Sequence, residues 1–398
     1  MFFRKQVPAT PWPQEEEHSK NKESPNRYFI SRNIVLFLLF LSAWFLVLFG
    51  CFQPRSSTTK PRTYIPSHTA QEAHPNDVKT VTPILKCDGS VSVYVYSLPP
   101  EFNVGLLEDC HHLNVYTDMC PHVANCGLGQ PLSNMGSTSW FFTHQFIAEM
   151  IFHARVENHQ CRTLDPERAN LFYVPFYGGL HVSSKFREPD LEARDALAVR
   201  LIDYLQAQPW WQKRQGKDHF LALGRTAWDF MRRDSGPDFG ANSLLNLAPV
   251  QNMSVLTVER HPWKKGSNQH GIPYPSYFHP STSDDLLTWQ NNMMMSERPH
   301  LWSFIGGPRK GLEKAAIREK IIGQCTESTR CHLVKCGSGA NQCYQPSEVL
   351  SVMRRSQFCL QAAGDSYTTR STFDSVLAGC CTRCSFRPTR LIPQWYLP

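Results

Sequence analysis

The chain has 398 residues, 41% of them hydrophobic and 19% charged, with a formal net charge of +7. Such a balance describes a chain that mostly folds, with room for about two domains of ordinary size. The basic residues are spread out, with no run of five or more interleaved with aromatics, which argues against a nucleic-acid-binding face. Fourteen cysteines are more than a cytosolic protein usually carries. They recur at Cys87, Cys110, Cys120, Cys126 and Cys161, then at Cys325, Cys331, Cys336 and Cys343. These gaps do not make the paired C-x2-C spacing of a zinc site, and Cys381 with Cys384 has no second half. The expectation is several disulfides in an oxidising compartment, with the pairing left open and no metal site.

Residues 34–52 read IVLFLLFLSAWFLVLFGCF, without a charge and long enough to cross a bilayer as a helix. Arg4, Lys5, Lys20, Lys22, Arg27 and Arg32 precede them. Basic residues stay on the cytoplasmic side, so 1–33 is expected to be a cytoplasmic tail and 34–52 an uncleaved signal-anchor of type II. A cleaved signal peptide would have an unusually long charged region here and no clear small-residue cleavage site. Residues 53–84 are rich in Pro, Ser, Thr and His with almost no apolar periodicity, the composition of a stem.

The lumenal part opens on an alternating strand at 91–96, ended by Leu98-Pro99-Pro100. Residues 140–156 place Phe142, Phe146, Met150 and Ile151 near one helical face. Glu149 and His153 lie four apart there, either as an acid/base pair or as an ordinary helix-surface pair. Residues 171–176 form a short buried strand, and 218–223 another that runs into Gly224-Arg225-Thr226-Ala227-Trp228-Asp229. Asn252-Met253-Ser254 is a glycosylation sequon. The strand 255–258 leads into Glu259-Arg260-His261, and 271–278 is a Pro/aromatic stretch, read as a sugar-stacking shelf or a rigid loop. A second alternation follows: strand 301–305, tight loop 306–309, helix 311–324, strand 332–334, helix 348–355, strand 358–361 and helix 372–378. Strand, loop and helix in alternation predict two α/β domains with parallel sheets, at 85–298 and 299–398.

Moving a sugar from a nucleotide donor requires holding a diphosphate as it leaves. A Gly-bearing loop that opens a helix offers backbone N–H groups and a positive dipole end. Residues 364–371 have that form, with Ser366 and Ser371 as hydroxyl donors and Arg370 able to fork onto a phosphate. Asp374, one turn into the helix, is placed for ribose hydroxyls. An acceptor hydroxyl needs a base, for which Asp229, His261 and Glu149 are candidates. Asp229 ranks first because it follows a strand end.

Together, several ordered stretches resemble the plant exostosin-type glycosyltransferases, family 47, and within it the xyloglucan galactosyltransferase clade. They are VYVYSLPPEFN (93–103), IFHARVENHQCRTLDPERANLFYVPFYGGL (151–180), LGRTAWDF (223–230), NMSVLTVERHPW (252–263), HGIPYPSYFHPS (270–281), FIGGPRKGL (304–312) and FCLQAAGDSYTTRSTFDSVLAGC (358–380). The resemblance implies a GT-B-like architecture of two Rossmann-type domains, the first on the acceptor side and the second on the donor side. It implies an inverting, metal-independent transfer from a UDP-sugar, UDP-galactose above all, to a xylose branch of a cell-wall polysaccharide such as xyloglucan. No cofactor is implied beyond the donor substrate. A Golgi membrane location and other cell-wall glycosyltransferases as partners are implied too. Carried over by motif, Gly364, Asp365, Ser366, Arg370, Ser371 and Asp374 form the donor-binding set.

Three departures stand out. Ala362-Ala363 replace two prolines usual in the family, which predicts a looser donor loop. His181 stands where the clade commonly has an acidic residue. After Gly379-Cys380 the family continues with a hydrophobic strand, whereas here Arg383, Arg387, Pro388 and Arg390 intervene. That predicts an incomplete second domain, with Phe373, Val376 and Leu377 short of apolar cover and activity impaired, as from a frame slip or mis-spliced exon near Cys380. The alternative function is an inactive relative that binds glycans or scaffolds a complex. A glycan hydrolase would need two opposed carboxylates, and no such pair stands out.

Overall fold

The computed structural model describes residues 87, 91–232, 240–261, 267–309, 311, 315–337, 341–364, 366 and 368–384. The expected tail, anchor and stem (1–84), Asp365 and everything after Cys384 lie outside these residues. Among the described residues no helix is long and apolar enough to cross a membrane.

The unit Val81–Pro398 contains two sheets. The first comprises β1 (Val93–Val95), β2 (Arg162–Thr163), β3 (Leu171–Tyr173), β4 (His219–Thr226), β5 (Ser254–Glu259) and β6 (Gln269–Gly271), in the order β2-β1-β3-β4-β5-β6. The second comprises β7 (His300–Gly306), β8 (Cys331–Lys335), β9 (Ser356–Gln361) and β10 (Cys381–Cys384), in the order β10-β9-β7-β8. Every pairing is parallel. All the strands of one sheet therefore end on the same edge, the edge where open α/β folds bind ligands.

The helices are α1 (Cys120–Val123), α2 (Ala148–Glu157), α3 (Gly178–Ser184), α4 (Leu191–Gln206), α5 (Pro209–Arg214), α6 (Ser283–Met294), α7 (Ile317–Glu327), α8 (Pro346–Arg354) and α9 (Arg370–Leu377). Helix α4 starts where the Asp190 side chain accepts the Glu192 N–H. It buries Leu197, Ala198, Leu201, Ile202 and Leu205, a stripe of period near 3.6, against Phe172, Val174, Leu221 and Leu223 of the first sheet. The expected helix over 140–156 is shorter, because its first aromatics pair elsewhere. Trp140 bridges Phe278, Phe141 bridges Pro131, and the Phe141 N–H donates to the Tyr277 carbonyl at 2.9 Å.

Among the described residues, five disulfides join Cys87–Cys161, Cys110–Cys120, Cys325–Cys331, Cys336–Cys343 and Cys359–Cys380. Cys110, Cys120 and His111 cluster closely enough to suggest a metal site, but the two sulfurs are joined to each other. The polar stretch after Cys380 does begin as a strand. Cys381–Cys384 pairs with Phe358–Gln361, outermost among the described strands, where apolar demand is lower. Nor does Phe373 lack cover. It is 3% exposed and packs on Tyr274, Ala148 and Val258 of the first sheet's side, while Val376 is 45% exposed. Leu377 is part-buried beside Trp289, whose Nε1–H donates to the Leu377 carbonyl at 2.9 Å.

Glu149 ties these pieces together. It is fully buried in the first turn of α2. Its carboxylate accepts the N–H groups of Gly179 (2.9 Å), Leu180 (2.8 Å) and Gly224 (2.9 Å). A Cβ at Gly179 would stand 2.7 Å from Oε2, so only glycine permits this approach. Glu149 and His153 form neither an acid/base pair nor a helix-surface pair. His153 Nδ1 meets the Tyr177 hydroxyl at 2.9 Å, and its Nε2 lies 3.7 Å from Glu157.

Burial pushes the Glu149 carboxyl up from 4.5 to about 7, against the pull of the three N–H groups and Arg225. The folded chain thus holds this proton more tightly than the unfolded chain. The stability it contributes is full below pH 4.5 and falls as pH rises toward 7. We expect wild type to lose about 3 kcal/mol relative to Glu149→Gln across that interval. Urea unfolding of both proteins at a series of pH values checks this; parallel curves would refute it.

Candidate active site

The C-terminal end of β4 delivers Arg225 and Thr226, followed by a 3-10 turn, Ala227–Phe230, that carries Asp229. The Arg225 guanidinium lies between two rings, 4.4 Å from the Phe146 centroid and 4.5 Å from that of Phe186. Its Nη1 donates to the Ser183 hydroxyl at 3.0 Å and its Nε to Asp229 Oδ2 at 2.9 Å. Thr226 Oγ1 donates to the same oxygen at 2.9 Å. The Asp229 side chain is 15% exposed. Both bonds fall on Oδ2, so Oδ1 has no hydrogen-bond partner among the described residues.

On the neighbouring strand, β5 ends in Glu259 and continues to His261. The His261 N–H donates to Gln269 Oε1 at 3.0 Å, and its ring lies 6.3 Å from that of Trp228. Asp229 and His261 thus follow the C-terminal ends of adjacent strands, the edge along which open α/β folds form their ligand crevice. Glu259 is fully buried and accepts the Thr368 N–H at 2.9 Å and the Thr368 hydroxyl. A carboxylate at the end of an apolar strand thus holds the loop of the second sheet. Tyr274 lies beside Thr368 and Ser366; burial, then Glu259 and Asp229, push its phenol well above the ordinary range. The loops after β4 and β5 and the loop before α9 converge at this residue.

The predicted donor residues divide into two groups. Gly364 donates its N–H to the Ser366 carbonyl at 2.9 Å, and Ser371 is half-buried in the first turn of α9. Arg370 has its fork occupied. Nη1 donates to the Thr143 carbonyl at 2.8 Å, Nη2 meets the Tyr277 hydroxyl, and the guanidinium lies 4.0 Å from the Tyr277 centroid. Asp374, expected at the ribose, is 2% exposed. It accepts the Ser276 hydroxyl at 2.6 Å and lies 3.5 Å from Arg370 Nε. Burial pushes its carboxyl up to about 6. It is a buried tie to the 271–278 stretch rather than a group facing the crevice. That stretch contributes Tyr274, Ser276 and Tyr277 to the join between the two sheets' loops.

Three further residues had no signal in spacing. His144 precedes α2, and burial, His122, Arg370 and Arg225 push its imidazole down to about 3. Its Nδ1 accepts the Phe146 N–H at 3.2 Å, so the neutral ring carries its proton on Nε2. Arg318, in α7, donates to the carbonyls of Ala363 (2.8 Å), Ala362 (3.0 Å) and Gly307 (3.2 Å), at the ends of β9 and β7. Glu259 was legible only as a charge after an apolar strand. The sequon residue Asn252 is exposed, with Nδ2 donating to the Gln215 carbonyl at 2.9 Å.

The β4 end thus presents the Asp229 carboxylate, and Thr368, just before α9, is tied to the β5 end through Glu259. Comparison with known proteins gives the family. The Exostosin GT47 domain matches residues 87–381. A probable xyloglucan galactosyltransferase of Arabidopsis thaliana is 55% identical over 401 residues, covering 100% of this chain and 82% of that protein. A xyloglucan galactosyltransferase from the same plant is 40% identical over 350 residues, 86% of this chain but 56% of its own length. A xyloglucan-specific galacturonosyltransferase is 39% identical over 316 residues, 78% and 46% respectively. The chain thus spans about half the length of these last two relatives, with its matched part falling on both sheets and the crevice loops. It belongs to the exostosin GT47 family, is a glycosyltransferase, and is similar to the xyloglucan galactosyltransferases.

Proposed function

We propose that this chain transfers galactose from UDP-galactose to a xylose branch of xyloglucan, by inversion and without a metal ion. It works on the lumenal face of the Golgi membrane, held by a type II anchor at 34–52. The observation that carries this reading is the convergence at Tyr274 of the β4 and β5 ends with the loop that opens α9. Relatives named for galactosyl transfer to xyloglucan support the sugar and the acceptor. The lumenal placement is supported by five disulfides and by the basic residues before residue 34.

Asp229 Oδ1 takes the proton of the acceptor hydroxyl, while Arg225 and Thr226 fix the carboxylate through Oδ2. The hydroxyl oxygen attacks C1 of the donor sugar from the face opposite the leaving diphosphate. On the far side, the α9 N–H groups, the Ser371 hydroxyl, the His144 Nε2–H and the positive charge of Arg370 favour the diphosphate's negative charge. The Arg370 guanidinium supplies the charge compensation that a divalent ion provides in other transferases.

The direct test incubates the chain with a panel of UDP-sugars and xyloglucan. Galactosyl product is expected; product from another sugar would refute the donor, and acceptor binding without turnover would favour the scaffold reading. Asp229→Asn should lower kcat by about a thousandfold with UDP affinity nearly intact. Retained turnover moves the base to His261. Arg370→Ala should weaken UDP binding by about tenfold and lower Tm by several degrees. Calorimetric titration with UDP checks this: an unchanged affinity with a lowered Tm would leave Arg370 as a clasp alone.

A further inference from the structure

A second concave site lies beside the crevice, on the same edge of the first sheet. It is a groove of about 630 Å³ bounded by the segment after β1, by α3 and by α4. Its polar lining is Glu101, Glu108, His181, Lys185 and Arg200, over an apolar floor that includes Leu197. Helix α3 is the wall between groove and crevice. Residues four apart share a helix face, and residues two apart lie on nearly opposite faces. Gly179 and Ser183 meet Glu149 and Arg225 on the inner face of α3, whereas His181 and Lys185 line the groove.

The lining is balanced in charge. Arg200 pairs with Glu101 at 2.8 Å, and Lys185 and Glu108 complete two cations and two anions. His181 is only 7% exposed, yet its Nδ1 has no hydrogen-bond partner, although buried polar atoms in folded proteins nearly always have one. Burial, Lys185 and Arg200 push its imidazole down to about 4, so it adds no charge at neutral pH. A net-neutral groove that mixes donors and acceptors over apolar carbon suits a ligand that is uncharged, rich in hydroxyls and apolar on its C–H faces. The volume falls within the usual range for small-molecule sites, about 300–1,000 Å³.

We propose that this groove is a distal subsite for the neutral polysaccharide acceptor, binding backbone sugars away from the residue that is modified. The assignment rests on the transferase reading above, since the shared α3 wall makes one chain running from groove to crevice the natural occupant. A polymer gripped there is held by more sugars than the one that reacts, and α3 couples that grip to the Arg225–Asp229 pair.

The test uses Ala196→Trp, which fills the groove from α4, and Lys185→Ala, each in the full chain. Migration through gels containing xyloglucan gives polymer affinity without requiring turnover. Wild type should be retarded, and each variant should bind about tenfold more weakly. Where the wild type transfers sugar, the variants should show a raised KM for polymer, little change in kcat, and an unchanged KM for the donor. Wild-type affinity in correctly folded variants overturns the subsite, as does an absence of polymer binding by the wild type. Polymer binding that the variants weaken, with no transfer by any form, would uphold the groove and reject the transferase reading instead.

Discussion

A carboxylate sealed from water must be met by donors, or its burial costs several kcal/mol. Glu149 is such a group, and its three donors come from the first turn of α3 and from strand β4. The start of α3, the end of β4 and the first turn of α2 are therefore fixed against each other. From that follow the positions of Phe146 beside Arg225 and of Ser183 under its Nη1. Arg225 in turn sets Asp229. The geometry of the Arg225–Asp229 pair on the first sheet is thus a consequence of how one buried acid is satisfied, and that acid is itself closed to solvent.

The same device joins the two sheets' loops. Glu259 holds Thr368, Ser276 holds Asp374, and Arg370 reaches Thr143 and Tyr277, while Phe373 inserts among Ala148, Val258 and Tyr274. Polar ties give register, and the apolar cluster gives burial. The donor loop is also anchored from below. Ala362 and Ala363 lack the rigidity of the prolines usual in the family, yet both carbonyls are held by Arg318. The loosening expected from that substitution is countered by a side chain some 40 residues earlier in the sequence.

Much of this fold was legible in the sequence. Short apolar runs bounded by Gly, Pro or Asp marked β1, β3, β4, β5, β7 and β9, and the alternation with helices implied parallel sheets. Helix α4 was missed although Leu197, Leu201 and Leu205 repeat every four residues behind the capping Asp190. The aromatics at 140–146 misled because their spacing fits a helix, whereas their backbone pairs with 131 and 278. The site was harder to read for a definite reason. Glu149, Glu259 and Asp374 look like catalytic acids by type, and what removes them is partners 31, 109 and 98 residues away. Sequence spacing reports neighbours on one helix, not which backbone amide will meet a side chain after folding.

Those partners also narrow the chemistry. Of the acids Glu149, Asp229, Glu259 and Asp374, Glu149 and Glu259 are 0% exposed and Asp374 is 2% exposed, each engaged by a hydrogen-bond donor. A base must touch the acceptor hydroxyl and then hold its proton where solvent can collect it. Only Asp229 combines partial exposure with an oxygen that no described residue engages. It stands on the first sheet, and the helix start proposed for the diphosphate belongs to the second. In the proposed transfer, attack from the β4–β5 boundary with departure toward α9 is the opposition that inversion at C1 requires.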